Sequence, residues 1–506
     1  MSEKVTALDR YKRESIIFLN SVKETKKIDA EENLPFVLSI LRSHTGNSHF
    51  AFQVQVISLQ LLEKIANISI DECIKENVVR DISILLKCEN VNVKKAALLA
   101  LQSFMNNDRC AALLSQDTIK VLVELATFEN IADLVYLALA TISKSSEDLL
   151  FAIISEMNFK LIYEQLKSSK HSKSICIFLT EISQLSMEAS QLIVQSDLHN
   201  TLWNLSSKDV WHAMEALTAI SKHNMSTAVI VLKSSLTKPV LKYYLTSKDV
   251  LRRKLAMNFC MTAAKHGTES SNYFVDFIEP FILPYLDEMP EEHISSCLLT
   301  IGCIAAVNSS FPKSLFSHNI LDVIFKFLAS KNLEIKSNVV WCLTHFGKHD
   351  EVTADALAQK GFVNLIYNLF LTSSDNELKS KCDRFLKGII PLTTNDYCLV
   401  AFLVKDTKPS MLLAVVDRLG ILLQSPELRK KFMKGGFLHK IQELNHFYAN
   451  SITAYPILES IKKINQYYPA DVIQFCSPEY AEELSKTLDA YVIPTVDETK
   501  PAAAIP

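Results

Sequence analysis

The stretch VVWCLTHFGKHDE, residues 339–351, sets His345 and His349 four apart in a helical pattern. Two imidazoles at that spacing lie on one helical face, which is how a zinc site is often begun. The rest of such a site is missing: no glutamate completes H-E-x-x-H, and no nearby carboxylate or cysteine stands at a ligand spacing. The 11 cysteines are scattered, none in C-x-x-C, and most fall in apolar runs such as SICIFL and SSCLLTIGCIAA. That placement predicts buried free thiols in a reducing compartment. There is no G-x-x-x-x-G-K-[ST], G-x-G-x-x-G or G-x-S-x-G, and no Cys–His catalytic signature. Gly435–Gly436 reads as a turn between two helices, and DEMPEEH (287–293) as a turn followed by a helix with Pro and Glu in its first turn. The chain is therefore expected to hold no catalytic residue, no metal and no cofactor.

The elements behind these residues are helices. Only 9 residues are glycine, where average usage would give roughly 35. Hairpin-rich sheets, dinucleotide folds and phosphate loops all consume glycine, whereas stacked helices need little. Hydrophobic content of 48 % is ample for a core. The net charge of −3 provides no field to attract nucleic acid or an anionic membrane. MSEKVTALDRYKRE opens with charges instead of an apolar signal core, which argues against secretion. The most apolar stretch, ISSCLLTIGCIAAV (294–307), has 14 residues, short of the roughly 20 needed to span a bilayer.

Apolar stripes with helical spacing recur, such as Val54, Ile57, Leu61 and Ile65, or Val339, Leu343 and Phe346. Each stripe ends alike, in KIANIS, SFMNND, TISKSS, EISQLS, AISKHN, TAAKHG, CIAAVN and HFGKHD. The aligned seam residues are Ala66, Met105, Ser143, Ser183, Ser221, Ala264, Ala305 and Gly347, at intervals of 39, 38, 40, 38, 43, 41 and 42. A unit near forty residues is the signature of an armadillo or HEAT solenoid. A second marker, a turn before an apolar helix, lies around Asn77, Asp117, Asp197, Asn319, Gly361 and Gly435. Such residues tolerate the left-handed conformation at a helix end. The resulting unit is a short helix, a turn, a second helix, then a third ending in the seam, which is the three-helix armadillo form. His349 belongs to this grammar, because Lys–His also closes the repeats at Lys222–His223 and Lys265–His266. Cations there suit the carbonyl end of a helix. The expected fold is an all-α armadillo-repeat right-handed superhelical solenoid over residues 10–491, in roughly ten to twelve units. Frayed ends are expected at 1–9 and 492–506, and Trp341 is expected in a repeat core.

Particular segments carry a family likeness. TIGCIAAVNSS (300–310) resembles a late repeat of the sperm-associated antigen six family, with its G-x-[IV]-A-A ending. Residues 339–370 resemble the next repeat, with a W-x-L core and a basic-His ending, and LKSKCDRFLKGII (378–390) the short helix after it. LRKKFMKGGFLHKIQEL (428–444) resembles the family's final G-G repeat, and NQYYPADVIQFCSPEYAEELSKTLDAY (465–491) its closing tail, making 428–491 an atypical cap. The resemblance implies a non-catalytic scaffold of the axonemal central pair, needed for its assembly and for ciliary or flagellar beating. It implies central-pair proteins, tubulin and further copies of the chain as partners, with no nucleic acid, membrane or small-molecule substrate. It implies location in the cytoplasm and cytoskeleton, in the cilium or flagellum axoneme. The alternative is a cytoplasmic adaptor holding a peptide of a signalling or trafficking partner.

Importin-like armadillo proteins line their groove with Trp and, four residues on, Asn. The Asn-equivalent positions here are Lys64, Ser103, Thr141, Glu181, Ala219, Thr262, Cys303 and His345, none of them Asn. Those eight positions are the candidate protein-binding surface. Three basic clusters are candidates to meet the acidic surface of tubulin: Lys379, Lys381 and Arg384; Arg429, Lys430 and Lys431; Lys462 and Lys463.

Overall fold

A computed structural model describes residues 7–24, 30–44, 48–168, 170–275, 286, 291–317, 319–489, 491 and 493. The turn expected at 287–290 and most of the expected frayed ends lie outside these residues. Every regular element among them is a helix. The fold is an all-α armadillo solenoid, and the chain divides into two compact units, 1–273 and 274–506.

One repeat shows the construction. The Ser186 hydroxyl accepts from Ala189 N at 3.1 Å and starts Met187–Gln195, a cap worth about 1 kcal/mol. Asp197 then adopts φ 60° and turns the chain into Leu198–Ser207, and Trp211–Ile220 closes the unit. The left-handed position recurs at Asn77, Asn319 and Gly361, as the sequence predicts. Two expectations shift. Asp117 lies inside Gln116–Leu125, because the Ser115 side chain caps that helix from extended backbone. Of the two glycines, Gly436 takes the positive φ of 71°, and Gly435 stays right-handed.

The closing helices stack as ladders. In the first unit they are His49–Ala66, Val91–Met105, Ala132–Ser145, Ser172–Leu185, Trp211–Ile220 and Val250–Ala264, each packed on the next. In the second unit Glu291–Val307 packs on Leu333–Gly347, which packs on Asn376–Ile389. The apolar stripe of each helix is the core: Val54, Leu61, Ile65, Val339, Leu343 and Phe346 are all fully buried, each contributing about 2 kcal/mol relative to exposure. Gly302 faces the Trp341 ring so closely that an added methyl would overlap it. The G-x-[IV]-A-A signature therefore makes room for the neighbouring tryptophan, which is half-buried.

The seam does more than complement a helix dipole. At three seams the residue two past the seam reaches back to the seam carbonyl of the preceding repeat. Ser145 Oγ donates to Met105 O at 2.9 Å, His223 Nε2 to Ser183 O at 2.6 Å, and His349 Nε2 to Ala305 O at 2.5 Å. These carbonyls end a helix and lack an intrahelical partner, so the clasp satisfies one repeat with a side chain of the next. His349 is thereby committed, and His345 packs edge-on to Trp341 at 4.5 Å.

Candidate protein-binding groove

The eight expected positions all lie on ladder helices, two residues before the seam, but the structure gathers only three of them. Glu181, Ala219 and Thr262 line one cleft of about 570 Å³ across Ser172–Leu185, Trp211–Ile220 and Val250–Ala264. A second cleft of about 760 Å³ crosses His49–Ala66 and Val91–Met105, yet it is lined by Gln60, Glu63 and Leu99, not by Lys64 or Ser103. Lys64 instead donates to Lys23 O at 2.9 Å, and Ser103 to Leu99 O at 3.3 Å. Thr141 bonds Leu137 O at 3.0 Å. Cys303 and His345 are half-buried. Burial is the first cause that holds the His345 pKa down to about 4, with Lys348, His349 and Arg384 adding to it.

Helix geometry explains the remaining lining of the 172–265 cleft. Residues six, three and two before a seam, and one after it, project to the same side of a 3.6-residue helix. They supply Glu215 and Asn258, Thr180 and Thr218, and Gln184, Lys222 and Lys265. Reading only the position two before the seam misses these; a shift of one turn in either direction finds Glu215, Asn258, Gln184, Lys222 and Lys265, and the adjacent position finds Thr180 and Thr218. Glu181 receives Lys144 Nζ at 2.8 Å from the preceding ladder helix. Among the described residues Glu215 has no ion-pair or hydrogen-bond partner, and its pKa is raised, chiefly by burial and then by Glu181. Thr180 and Thr218 hydroxyls are spent on the Cys176 and Met214 carbonyls, both at 2.8 Å. Thr262, 8 % exposed, lines the same cleft.

The basic clusters divide. Arg429 is buried and donates to Tyr467 O at 3.1 Å, while the buried Tyr468 hydroxyl reaches Arg429 O at 3.4 Å. The G-G repeat and the closing tail thus hold each other, and Arg429 is removed from the surface, a correction to its expected role. Lys431 is paired with Asp396 at 2.8 Å over the Tyr397 ring. Lys381 bonds Ser337 Oγ at 2.6 Å and Glu377 at 2.9 Å. Arg384, Lys462 and Lys463 are exposed, and Lys379 and Lys430 half-buried.

The chemistry of a reaction centre is weak here. Burial pushes the thiols of Cys73, Cys382 and Cys398 up to about 12, far from a reactive thiolate. Among the described residues no three His, Cys, Asp or Glu side chains are grouped to hold a metal ion. No helix among them is long and apolar enough to cross a membrane.

No protein-family model matches the chain. It is 28 % identical over 159 residues to human sperm-associated antigen 6, covering 31 % of this chain and 30 % of that protein. Against mouse sperm-associated antigen 6 it is 29 % identical over 161 residues, with the same coverage. The match thus spans about 30 % of the length of these relatives. In structure the chain is similar to a crystallised engineered protein, with a TM-score of 0.64 at 21 % identity, covering 84 % of this chain and 98 % of that one. At that identity the likeness bears on the fold alone.

Proposed function

We propose that this chain, a diverged armadillo protein similar to sperm-associated antigen 6, is a non-catalytic scaffold of the axonemal central pair. The observation that carries the reading is that similarity, in a relative whose name ties it to sperm, together with the Arg429–Tyr467–Tyr468 clasp. The clasp gives the family-like G-G repeat and closing tail a common structural reason. The period runs on from Ala264 to Ala305 without a change of length class, which supports one repeat array over 10–491. A solenoid presents many separate surfaces, so weak contacts to neighbouring copies and microtubule-associated proteins sum through effective concentration. Arg384, Lys462 and Lys463 are the exposed cations left to meet the acidic tubulin surface.

Co-sedimentation of the full chain with microtubules tests this. Binding that falls with salt, and falls again on microtubules stripped of their acidic tails, is the expected result. Light scattering should show a mass above one chain at high micromolar concentration. A strictly monomeric protein indifferent to microtubules would move the function to the cytoplasmic adaptor, which the 172–265 cleft would also serve.

A further inference from the structure

We propose that the joint between Trp211–Ile220 and Val250–Ala264 is a hinge of the first unit, tied at one end and closed at the other by a bond from His266 to the Ser221 carbonyl that forms and breaks. This goes beyond the scaffold reading and does not depend on it.

Three seams close in Lys–His, and two of them are fastened. At the first, His223 Nε2 donates to Ser183 O at 2.6 Å and Lys222 Nζ to Gln184 O at 3.3 Å. At the last, His349 Nε2 donates to Ala305 O at 2.5 Å. His266 stands at the same place, two past Ala264, so Ser221 O is its counterpart. Burial and then Lys265 lower its pKa while the Ser221 and Lys222 carbonyls raise it, so the ring faces them. Its Nε2 is nevertheless buried without a hydrogen-bond partner. Leaving a buried ring nitrogen unsatisfied is unfavourable, and the two sister seams show that this side chain can close the bond. Chain length explains why it stands open here. The interval from Ser221 to Ala264, 43 residues, is the longest of the seven. Trp211–Ile220 has 10 residues, where its neighbours Ser172–Leu185 and Val250–Ala264 have 14 and 15. The cleft lined by Lys222 and Lys265 lies along this joint.

The opposite end of the joint is tied. Asp209, just before Trp211, takes φ 66°, a left-handed conformation that is costly for a non-glycine residue and persists where its surroundings hold it. Its carboxylate accepts from the Tyr243 hydroxyl at 3.2 Å and pairs at 3.1 Å with Arg252, in the first turn of Val250–Ala264. The Arg252 guanidinium also lies over the Tyr243 ring. Two packed helices tied at one end and unfastened at the other have two discrete arrangements, which is what a hinge needs. Swinging about Asp209–Arg252 brings His266 onto Ser221 O and narrows the cleft.

The test uses the full chain with nitroxide labels carried on a keto-bearing unnatural residue, which leaves the 11 cysteines untouched. Glu188, Ser226 and Glu269 are exposed and stand five residues past successive seams. Labels at 188 and 226 span the fastened seam, and labels at 226 and 269 the open one. Double electron–electron resonance should give one narrow distance across the first. Across the second it should give a distribution about twofold broader, made of two populations. His266→Ala should remove the shorter population, and His223→Ala should broaden the distance across the fastened seam. Circular dichroism establishes that each labelled variant is folded. Equally narrow distances across both seams would overturn the hinge. Two populations that survive His266→Ala unchanged would overturn the part given to the histidine, as would a fastened seam that stays narrow in His223→Ala.

Discussion

On Trp211–Ile220 the residues six and two before the seam are Glu215 and Ala219; on Leu333–Gly347 they are Trp341 and His345. The backbone role is the same, and the side chains make opposite surfaces. In the second unit an indole lies across Gly302 and meets an imidazole edge-on, filling the notch between neighbouring ladder helices. In the first unit a small residue and a carboxylate leave the notch open and polar. One region spends these positions on cohesion between repeats. The other leaves a half-buried carboxylate, Glu215, beside a like charge, Glu181.

The largest effect should come from closing the packed notch further. Gly302→Val forces atoms into the rigid Trp341 ring and should lower stability by about 3 kcal/mol, near the upper end for overpacking. Gly347 also faces tight neighbours, but these are the flexible ends of Ile389 and Leu357. The same change there should therefore cost less, and denaturant midpoints of the two variants compare them directly.

Next come the clasps. His349→Ala leaves the Ala305 carbonyl without its donor and should cost about 1–2 kcal/mol. His349→Gln, which keeps an N–H donor, should recover part of the loss. Equal stability of both variants with the native chain would show that the clasp carries no energy.

Acid should separate the two regions. His345 is held near 4 in the folded chain against an ordinary 6.5. Below about 6.5 the unfolded chain takes up a proton that the folded one refuses, so this contribution to stability shrinks as pH falls and levels off below about 4. The Tm difference between the native chain and His345→Gln should therefore change across that window and stay constant above it. A difference that does not vary with pH would remove the histidine from the packed notch.

The smallest stability change is expected at the open notch. Glu215→Gln relieves repulsion from Glu181 and should leave the folding free energy within about 0.5 kcal/mol of the native value or slightly higher. A loss of several kcal/mol would mean that Glu215 is structural.

The fold was legible because its signals repeat. Apolar stripes, seam endings and turn residues recur at one period, so a misreading in one repeat is corrected by the next. Asn77, Asp197, Asn319 and Gly361 were found in this way. Asp117 was misplaced because a serine cap and a left-handed turn draw on the same polar residues, and only backbone geometry separates them. Charge runs misled for a related reason. Arg429 and Lys430 are adjacent in sequence, but a helix turns about 100° per residue, and one is buried while the other is half-exposed. The candidate groove was legible at Glu181, Ala219 and Thr262. Glu215 was not, because its importance lies in which neighbour faces it, and that neighbour is 34 residues away in sequence.

The central claim is that this chain works inside the axoneme, and immunogold labelling of axonemes isolated from its own cells tests it most directly. Gold confined to the central pair is the predicted result. Axonemes without gold, with the protein recovered in the soluble fraction, would contradict the scaffold and leave a solenoid whose work is to hold a peptide elsewhere.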